Sequence, residues 1–495
     1  MKKYFKSLIL IIIAGLILSS CETKSIEEKA TANENALKFN ANGQFKIAQF
    51  TDIHWDNNSE NCPKTVASIK HVLETEKPDV AILTGDIVTA PPAVEGWLAI
   101  AKIFEEAKTP WAVILGNHDA ETGITRPAIF DSIANLPYFI GEKGLDNLYG
   151  AGNYVLPVYD NGGEKVSAAL YCIDSNDYPE KRIYGHYDWI HFNQIEWYRN
   201  MSKNYTVAND STPIPSLAFI HIPINEYANI VDKPTTAGIK EEGIAGSDIN
   251  SGFFASLIEM GDVMGVFCGH DHDNDYIGIE KEIALAFGRR SGVDAYGKLE
   301  TGARIILLYE GKRKFDTWIR TQSSADTYYY YPSGISSEDE KYLPMLPAHK
   351  LVTEPDKHGV SYKYYEGKFA KVSEMSKATA LKTGELKNFD ISGAQVEDWM
   401  GFEYNAWIKV PESGIYRFYT FSDDGSVLYI DGLVIVDNDG SHSERRCEGK
   451  IHLEAGFHEL KLLYFERYMG QVLEVGYISR NIPETQIPDS ILFVK

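Results

Sequence analysis

The stretch Trp111-Ala112-Val113-Ile114-Leu115-Gly116-Asn117-His118-Asp119 decides the fold. A run of apolar residues gives way, at a glycine, to side chains that can bind a cation or move a proton. A short, continuous apolar run bounded in this way reads as a strand buried on both faces, hence as part of a helix-covered sheet. In such sheets ligands sit beyond the carboxyl ends of the strands. The same arrangement recurs on either side. Strand-like residues 45–50 precede Asp52-Ile53-His54, and 80–83 precede Gly85-Asp86. Residues 217–220 lead into His221, and 263–267 into Gly269-His270-Asp271-His272. Helical spacing over 65–76 and 94–107 separates the first three strands, which lie roughly one β-α-β unit apart. An α/β domain is therefore expected.

Aspartate, asparagine and histidine offer oxygen and nitrogen donors that suit Zn, Fe or Mn better than Ca or Mg, and no thiolate is needed. A carboxylate has two oxygens, so Asp86 is the natural bridge between two cations. Such a pair makes hydroxide available at neutral pH, holds phosphoryl oxygens and neutralises developing charge. The leaving oxygen then needs a proton donor. His118, beside Asn117 but free of metal, is best placed for that role.

Taken together, Asp-x-His, Gly-Asp, Gly-Asn-His-Asp, a single His and Gly-His-x-His resemble the calcineurin-like metallophosphoesterases over roughly 45–320. The resemblance implies an αββα sandwich, with two central mixed sheets flanked by helices. It also implies two divalent or trivalent transition-metal ions (Fe, Zn or Mn). One would take Asp52, His54, Asp86 and His272; the other would take Asp86, Asn117, His221 and His270. His118 would be the catalytic histidine, assisting the leaving group while a metal-bridging hydroxide attacks phosphorus in a phosphate ester. Phe219-Ile220-His221-Ile222-Pro223 and Tyr187-Asp188-Trp189-Ile190 are similar to phosphatases grouped with plant purple acid phosphatases and fungal cell-cycle phosphatases. One position departs from the purple enzymes: Thr89 stands where they carry a tyrosine three residues after the bridging aspartate, so the iron-tyrosinate colour is expected to be absent. Gly288-Arg289-Arg290-Ser291-Gly292 is either a guanidinium fork for phosphate or a solvated basic loop.

From about residue 356 the pattern turns all-β. Short period-two runs are separated by Asp423-Asp424-Gly425, Asp431-Gly432, Asp439-Gly440 and Ala455-Gly456, which suggests a β-sandwich. The stretch from Tyr416 to Gly432 resembles the sandwich of anthrax protective antigen, often attached to carbohydrate enzymes and adhesins. Glycan or cell-envelope polysaccharide is the partner this implies. Asp423 and Asp424 match a calcium- and sugar-holding pair in some lectin members, or simply close a turn through their side chains. The tyrosine run 328–331, followed by Pro332-Ser333-Gly334, reads as part of a linker over 321–355.

The chain has 495 residues and a formal charge of −22. That charge argues against wrapping duplex nucleic acid. Lys2, Lys3 and Lys6, the short apolar run 8–18 and Leu18-Ser19-Ser20-Cys21 look like a lipoprotein signal (1–20) with Cys21 acylated. A polar tether over 21–43 would follow. The expected setting is extracytoplasmic, lipid-anchored to a membrane, with the outer membrane as its site and a periplasmic or surface face. Cys172 and Cys268 lie in apolar runs and read as core residues. The rival reading is a catalytically silent glycan-binding surface lipoprotein.

Overall fold

The computed structural model describes residues 36–495. The expected signal segment, Cys21 and the tether as far as residue 35 lie outside the described residues; the last part of that expected tether needs correction, because Leu37 and Phe39 are buried in the first core and both bond to the Tyr159 backbone. Among the described residues no helix is long and apolar enough to cross a membrane.

Two sheets stack face to face. In the first, Gln44–Phe50, Val80–Thr84 and Trp111–Ile114 run parallel. Gly302–Tyr309 and Phe315–Thr321 extend it antiparallel on the other side of Gln44–Phe50. In the second, Val166–Cys172, Ser216–Phe219, Val263–Cys268 and Ile283–Phe287 run parallel between antiparallel edges. Residues of both sheets share one core, where Ile47, Leu83 and Ile305 join Leu217, Phe219 and Phe267, all fully buried. Arg304 also lies between the sheets, donating from Nε to the carbonyl of Phe287 at 2.7 Å.

Helices cover the outer faces. Cys62–Glu76 and Ala93–Ala107 bury Ile69, Val72, Trp97, Ile100 and Phe104 against the first sheet. Phe192–Ala208 and Phe253–Met260 bury Tyr198, Tyr205 and Leu257 against the second. The result is the expected four-layer α/β architecture. Because the central strands are covered on both faces, they are apolar without interruption, as in Val80–Thr84, where every residue is buried. Cys172 and Cys268 are core residues with no exposed surface.

The all-β part follows as two antiparallel sheets. One is ordered Lys382–Leu386, Val360–Glu366, Met400–Val410, Gly456–Glu466, Ser426–Ile430, Leu433–Asn438. The other is Arg445–Leu453, Gly414–Asp423, Val472–Ser479, Thr485–Gln486. The Asp431-Gly432 turn has positive φ at both residues (49° and 78°) and joins Ile430 to its partner Leu433, a two-residue hairpin of the type this dipeptide favours.

The linker expected over 321–355 needs correction. Ala325–Tyr331 is a strand of the first sheet, Ile335–Ser336 pairs with it, and Ser337–Tyr342 is a helix. A run of tyrosines hides this because tyrosine suits either face of a strand and so erases the alternation. The side chains are used internally. Tyr329 donates to the Thr235 carbonyl, Tyr331 to that of Glu282, and Tyr331 stacks on Phe315. Tyr330 meets the second domain, packing with Ile415 and lying 3.7 Å beneath the Arg480 guanidinium.

Candidate metal centre

Every ligand segment begins where a central strand stops. Asp52 and His54 follow Gln44–Phe50, Asp86 follows Val80–Thr84, and Asn117 and His118 follow Trp111–Ile114. His221 follows Ser216–Phe219, while His270 and His272 follow Val263–Cys268. Since the sheets face each other, these ends converge. Asp52, His54 and His272 form one cluster that could hold an ion, and Asp86, His221 and His270 form another.

The local backbone is strained to achieve this. Asp52, His54, Asp86 and His270 have φ of 51°, 47°, 54° and 78°, a region that side-chain-bearing residues avoid. Two glycines make room. A Cβ on Gly85 would stand 2.3 Å from His221 Nδ1, and one on Gly116 would stand 2.2 Å from Asp86 Oδ1. Asp119 ties the loops together, accepting from the backbone N–H groups of Gly116, Asp86, Ile87 and Val88 at 2.7–3.0 Å. Burial, followed by the nearby Asp86 charge, pushes the Asp119 carboxyl up to about 6.

Asp86 Oδ2 lies 3.2 Å from His221 Nε2 and 3.7 Å from His54 Nε2, so one oxygen touches both clusters. The other, Oδ1, accepts the His118 N–H at 2.8 Å. Asn117 Oδ1 and His270 Nδ1 are each 3.2 Å from His221 Nε2, and Asp52 Oδ1 is 3.2 Å from His272 Nε2. Backbone carbonyls aim two of the rings. The Nδ1 of His221 meets the Thr84 carbonyl at 2.8 Å, and that of His272 meets the Tyr296 carbonyl at 2.9 Å. Each ring thereby turns Nε2 toward the centre, as outer partners do in metal sites.

Two buried atoms here, His54 Nε2 and His270 Nε2, have no hydrogen-bond partner, and Asp52 Oδ1 has only the His272 ring beside it. Buried polar atoms are seldom left so. A cationic guest would satisfy all three, and the oxygen and nitrogen donors suit a borderline transition metal. The donor set therefore fits a metal pair. Without one, protons carry the compensation. Burial opposes a charged His221, but Asp86 overrides it and raises the ring to about 9. Burial likewise opposes ionised Asp52, yet His272 draws it down to about 2. His270 is driven the other way, to about 3, by burial and then by the His221 charge.

His118 stands apart from both clusters. Its ring lies 5.7 Å from that of His54, with the side chain 39% exposed. Its Nδ1 is 2.7 Å from Glu121 Oε2. Tyr178 donates to the other Glu121 oxygen at 3.0 Å and accepts from Asn117 Nδ2 at 3.1 Å. Neither Glu121 nor Tyr178 was singled out from sequence. The three-residue spacing of His118 and Glu121 was a usable signal for the first, but Tyr178, 61 residues from Asn117, left none.

Arg289 and Arg290 are neither a phosphate fork nor a solvated loop, being only 6% and 7% exposed. Arg289 pairs with Asp275, and Arg290 donates to the carbonyls of Gly292, Ala295, Gly297 and Leu299, stapling that loop.

In the all-β domain, Asp423, Asp424 and Glu466 also come together. Asp424 accepts the N–H groups of His442 and Arg467 at 2.8 and 2.9 Å. Glu466 is fully buried, and its Oε1 has no partner. Burial and then the two aspartates push its carboxyl up to about 8.

Comparison with known proteins agrees with this geometry. Residues 45–274 match the calcineurin-like phosphoesterase family, and 356–490 match the PA14 domain. The second match is to PA14 domains in general and does not single out the anthrax-protective-antigen type expected from sequence. The chain is 32% identical over 356 residues to "Probable inactive purple acid phosphatase 29" of Arabidopsis thaliana, covering 65% of this chain and 92% of that protein. It is 30% identical over 322 residues to "Phosphatase DCR2" of Saccharomyces cerevisiae, covering 57% of this chain and 54% of that one. A dimetal phosphatase from Danio rerio aligns over 57% of this chain and 97% of its own, with 13% identity and a TM-score of 0.41. On the strength of a relative matched along nearly its whole length, the chain belongs to the calcineurin-like phosphoesterase family, with purple acid phosphatase-like relatives and a C-terminal PA14 domain.

Proposed function

We propose that the protein hydrolyses phosphate esters with two transition-metal ions, one held by Asp52, His54, Asp86 and His272 and the other by Asp86, Asn117, His221 and His270. The observation that carries this is that each cluster includes a histidine with a buried, partnerless ring nitrogen, His54 Nε2 in one and His270 Nε2 in the other, while Asp86 Oδ2 reaches both clusters. When bound, such a pair activates water at neutral pH and neutralises phosphoryl charge. The residues do the rest. The Thr84 and Tyr296 carbonyls keep the rings of His221 and His272 turned inward. Glu121 holds His118 by Nδ1, which leaves Nε2 free to hand a proton to the leaving oxygen. "Inactive" belongs to the name of the Arabidopsis relative; here every residue of the expected ligand set is present and convergent. The test is metal-dependent hydrolysis of phenyl phosphate, compared with His118→Ala at unchanged metal content. A protein that holds its metals and cleaves no ester would favour the silent glycan-binding reading.

The PA14 domain would bind glycan, with Asp423, Asp424 and Glu466 holding a divalent cation such as calcium. Glu466 Oε1, buried and without a donor, supports this. Exposed Tyr468 and Met469 stand beside it, with Arg467 over the Trp399 ring. Domain limits near 37–342 and 356–495 fit the two cores. The lipoprotein-like segment ending at Cys21 supports anchoring to a membrane outside the cytoplasm.

A further inference from the structure

A cavity of about 550 Å³ lies beside the loop that carries Asn117 and His118, its Arg126 donating to the carbonyls of Gly116 and Leu115. Its lining includes Ala120, one residue past Asp119, and Asp177, next to the Tyr178 that touches Asn117 and Glu121. Its size falls within the roughly 300–1,000 Å³ usual for small-molecule sites.

We propose that this cavity receives the alcohol part of the substrate and selects a neutral polyhydroxylated ring, so that the esters cleaved are monosaccharide or cyclitol phosphates. The proposal rests on the phosphoesterase reading. Three features of the lining carry it.

The first is a fixed aromatic wall. Tyr149 stacks on His191 with ring centroids 3.6 Å apart, and His191 stacks on Trp189 at 4.9 Å. The Tyr149 hydroxyl meets Asp188 at 3.2 Å. The ring is held from one side and its edge, while the residue stays 43% exposed and lines the cavity. A flat apolar surface held in place accepts the C–H face of a sugar ring without the cost of ordering a side chain.

The second is a surplus of acceptors. Asp177 lines the cavity with its carboxylate about a third exposed, at 34%. One of its oxygens, Oδ1, accepts only the Tyr178 N–H at 2.6 Å, which leaves lone pairs over for a ligand. Hydroxyl groups are the donors such a wall requires.

The third is the lack of a free cation. Arg126 is the cationic residue among the described lining residues, and it is engaged with Asp174, with the carbonyls of Gly116 and Leu115, and with Asp177 at 3.9 Å. With one guanidinium shared between two carboxylates, a leaving group bearing its own phosphate or carboxylate would find no cation left to pair with, so anionic alcohols are disfavoured.

The experiment compares glucose 6-phosphate with ethyl phosphate, both esters of a primary alcohol, in the full metal-loaded chain, its Tyr149→Ala variant and its Asp177→Asn variant. The wild type should favour glucose 6-phosphate by about tenfold or more in kcat/KM, the scale of a few specific contacts. Each variant should lose about tenfold on that ester, chiefly in KM, and roughly twofold or less on ethyl phosphate. Saturation-transfer NMR with methyl glucoside gives a readout independent of turnover. A signal on the ring protons should be present in the wild type and fall in Tyr149→Ala, any sugar held by the PA14 domain being unaffected by that substitution. Equal losses on both esters, or a Tyr149-dependent gain confined to adenosine monophosphate, would overturn the proposal. A Tyr149-dependent sugar signal without cleavage of either ester would sustain the subsite and refute the phosphoesterase reading; cleavage of ethyl phosphate with no such signal would do the reverse.

Discussion

Replacing Glu121 by alanine removes the 2.7 Å contact that fixes His118 through Nδ1. A hydrogen bond to a charged group contributes about 1.5–3 kcal/mol. Here the two side chains are 39% and 48% exposed, and solvent screening brings the figure toward about 1 kcal/mol. At 1.36 kcal/mol per factor of ten, turnover should fall about five- to tenfold. Removing His118 itself should cost about 10²–10⁴-fold. The assay is turnover of phenyl phosphate and p-nitrophenyl phosphate at saturating metal, with metal content measured on the same samples. Because His118 is assigned to the leaving oxygen, both losses should shrink on the nitrophenyl ester, whose leaving group needs less protonation. Most telling is the double variant, in which Glu121→Ala should add nothing once His118 is alanine. If Glu121→Ala lowers turnover by the same factor in both backgrounds, Glu121 does not act through His118 and the orienting role is wrong.

Truncation after Tyr342 should leave turnover of a small ester within about twofold and lower Tm by several degrees, since it uncovers Tyr330 and Ile335 and removes the Lys450–Asp339 pair. Loss of activity with the first domain still folded, by circular dichroism, would show that the PA14 domain completes the pocket. Iron-loaded protein should lack an intense visible band, because Thr89 stands three residues after Asp86; a purple preparation would mean that another tyrosine reaches the metal. Glu76, buried with Trp318 Nε1 at 3.0 Å and Arg320 Nε at 2.6 Å, has its carboxyl held below the ordinary value, those partners prevailing over burial. Its contribution is therefore present above the unfolded value near 4.5 and lost as pH falls through the lower folded one. Glu76→Gln should cost about 1–3 kcal/mol at pH 7 and progressively less below about pH 4 in urea melts; a penalty that does not change with pH would contradict the charged role.

The ligand set was legible because each donor follows an apolar strand, and strand order alone brings such ends to one edge of a sheet. What contacts decide was not legible. The guanidinium groups of Arg289 and Arg290 look free in sequence and are consumed by carbonyls and Asp275 in the fold. The tyrosine run conceals a strand because it has no polar face to alternate with. Glu121 carries no mark beyond its spacing from His118, and the Tyr149–His191–Trp189 stack joins residues from a loop and a helix start that sequence separates.

The central claim is that Asp86 joins two ion sites, and elemental analysis of purified, active protein tests it most directly. Six side chains in two clusters, joined by Asn117 beside His221, with Asp86 Oδ2 3.2 Å from His221 and 3.7 Å from His54, predict about two transition-metal ions per chain, a stoichiometry that Asp86→Ala should abolish together with activity while His118→Ala retains it. Wild-type protein that turns over phosphate esters with one ion or none would contradict the account.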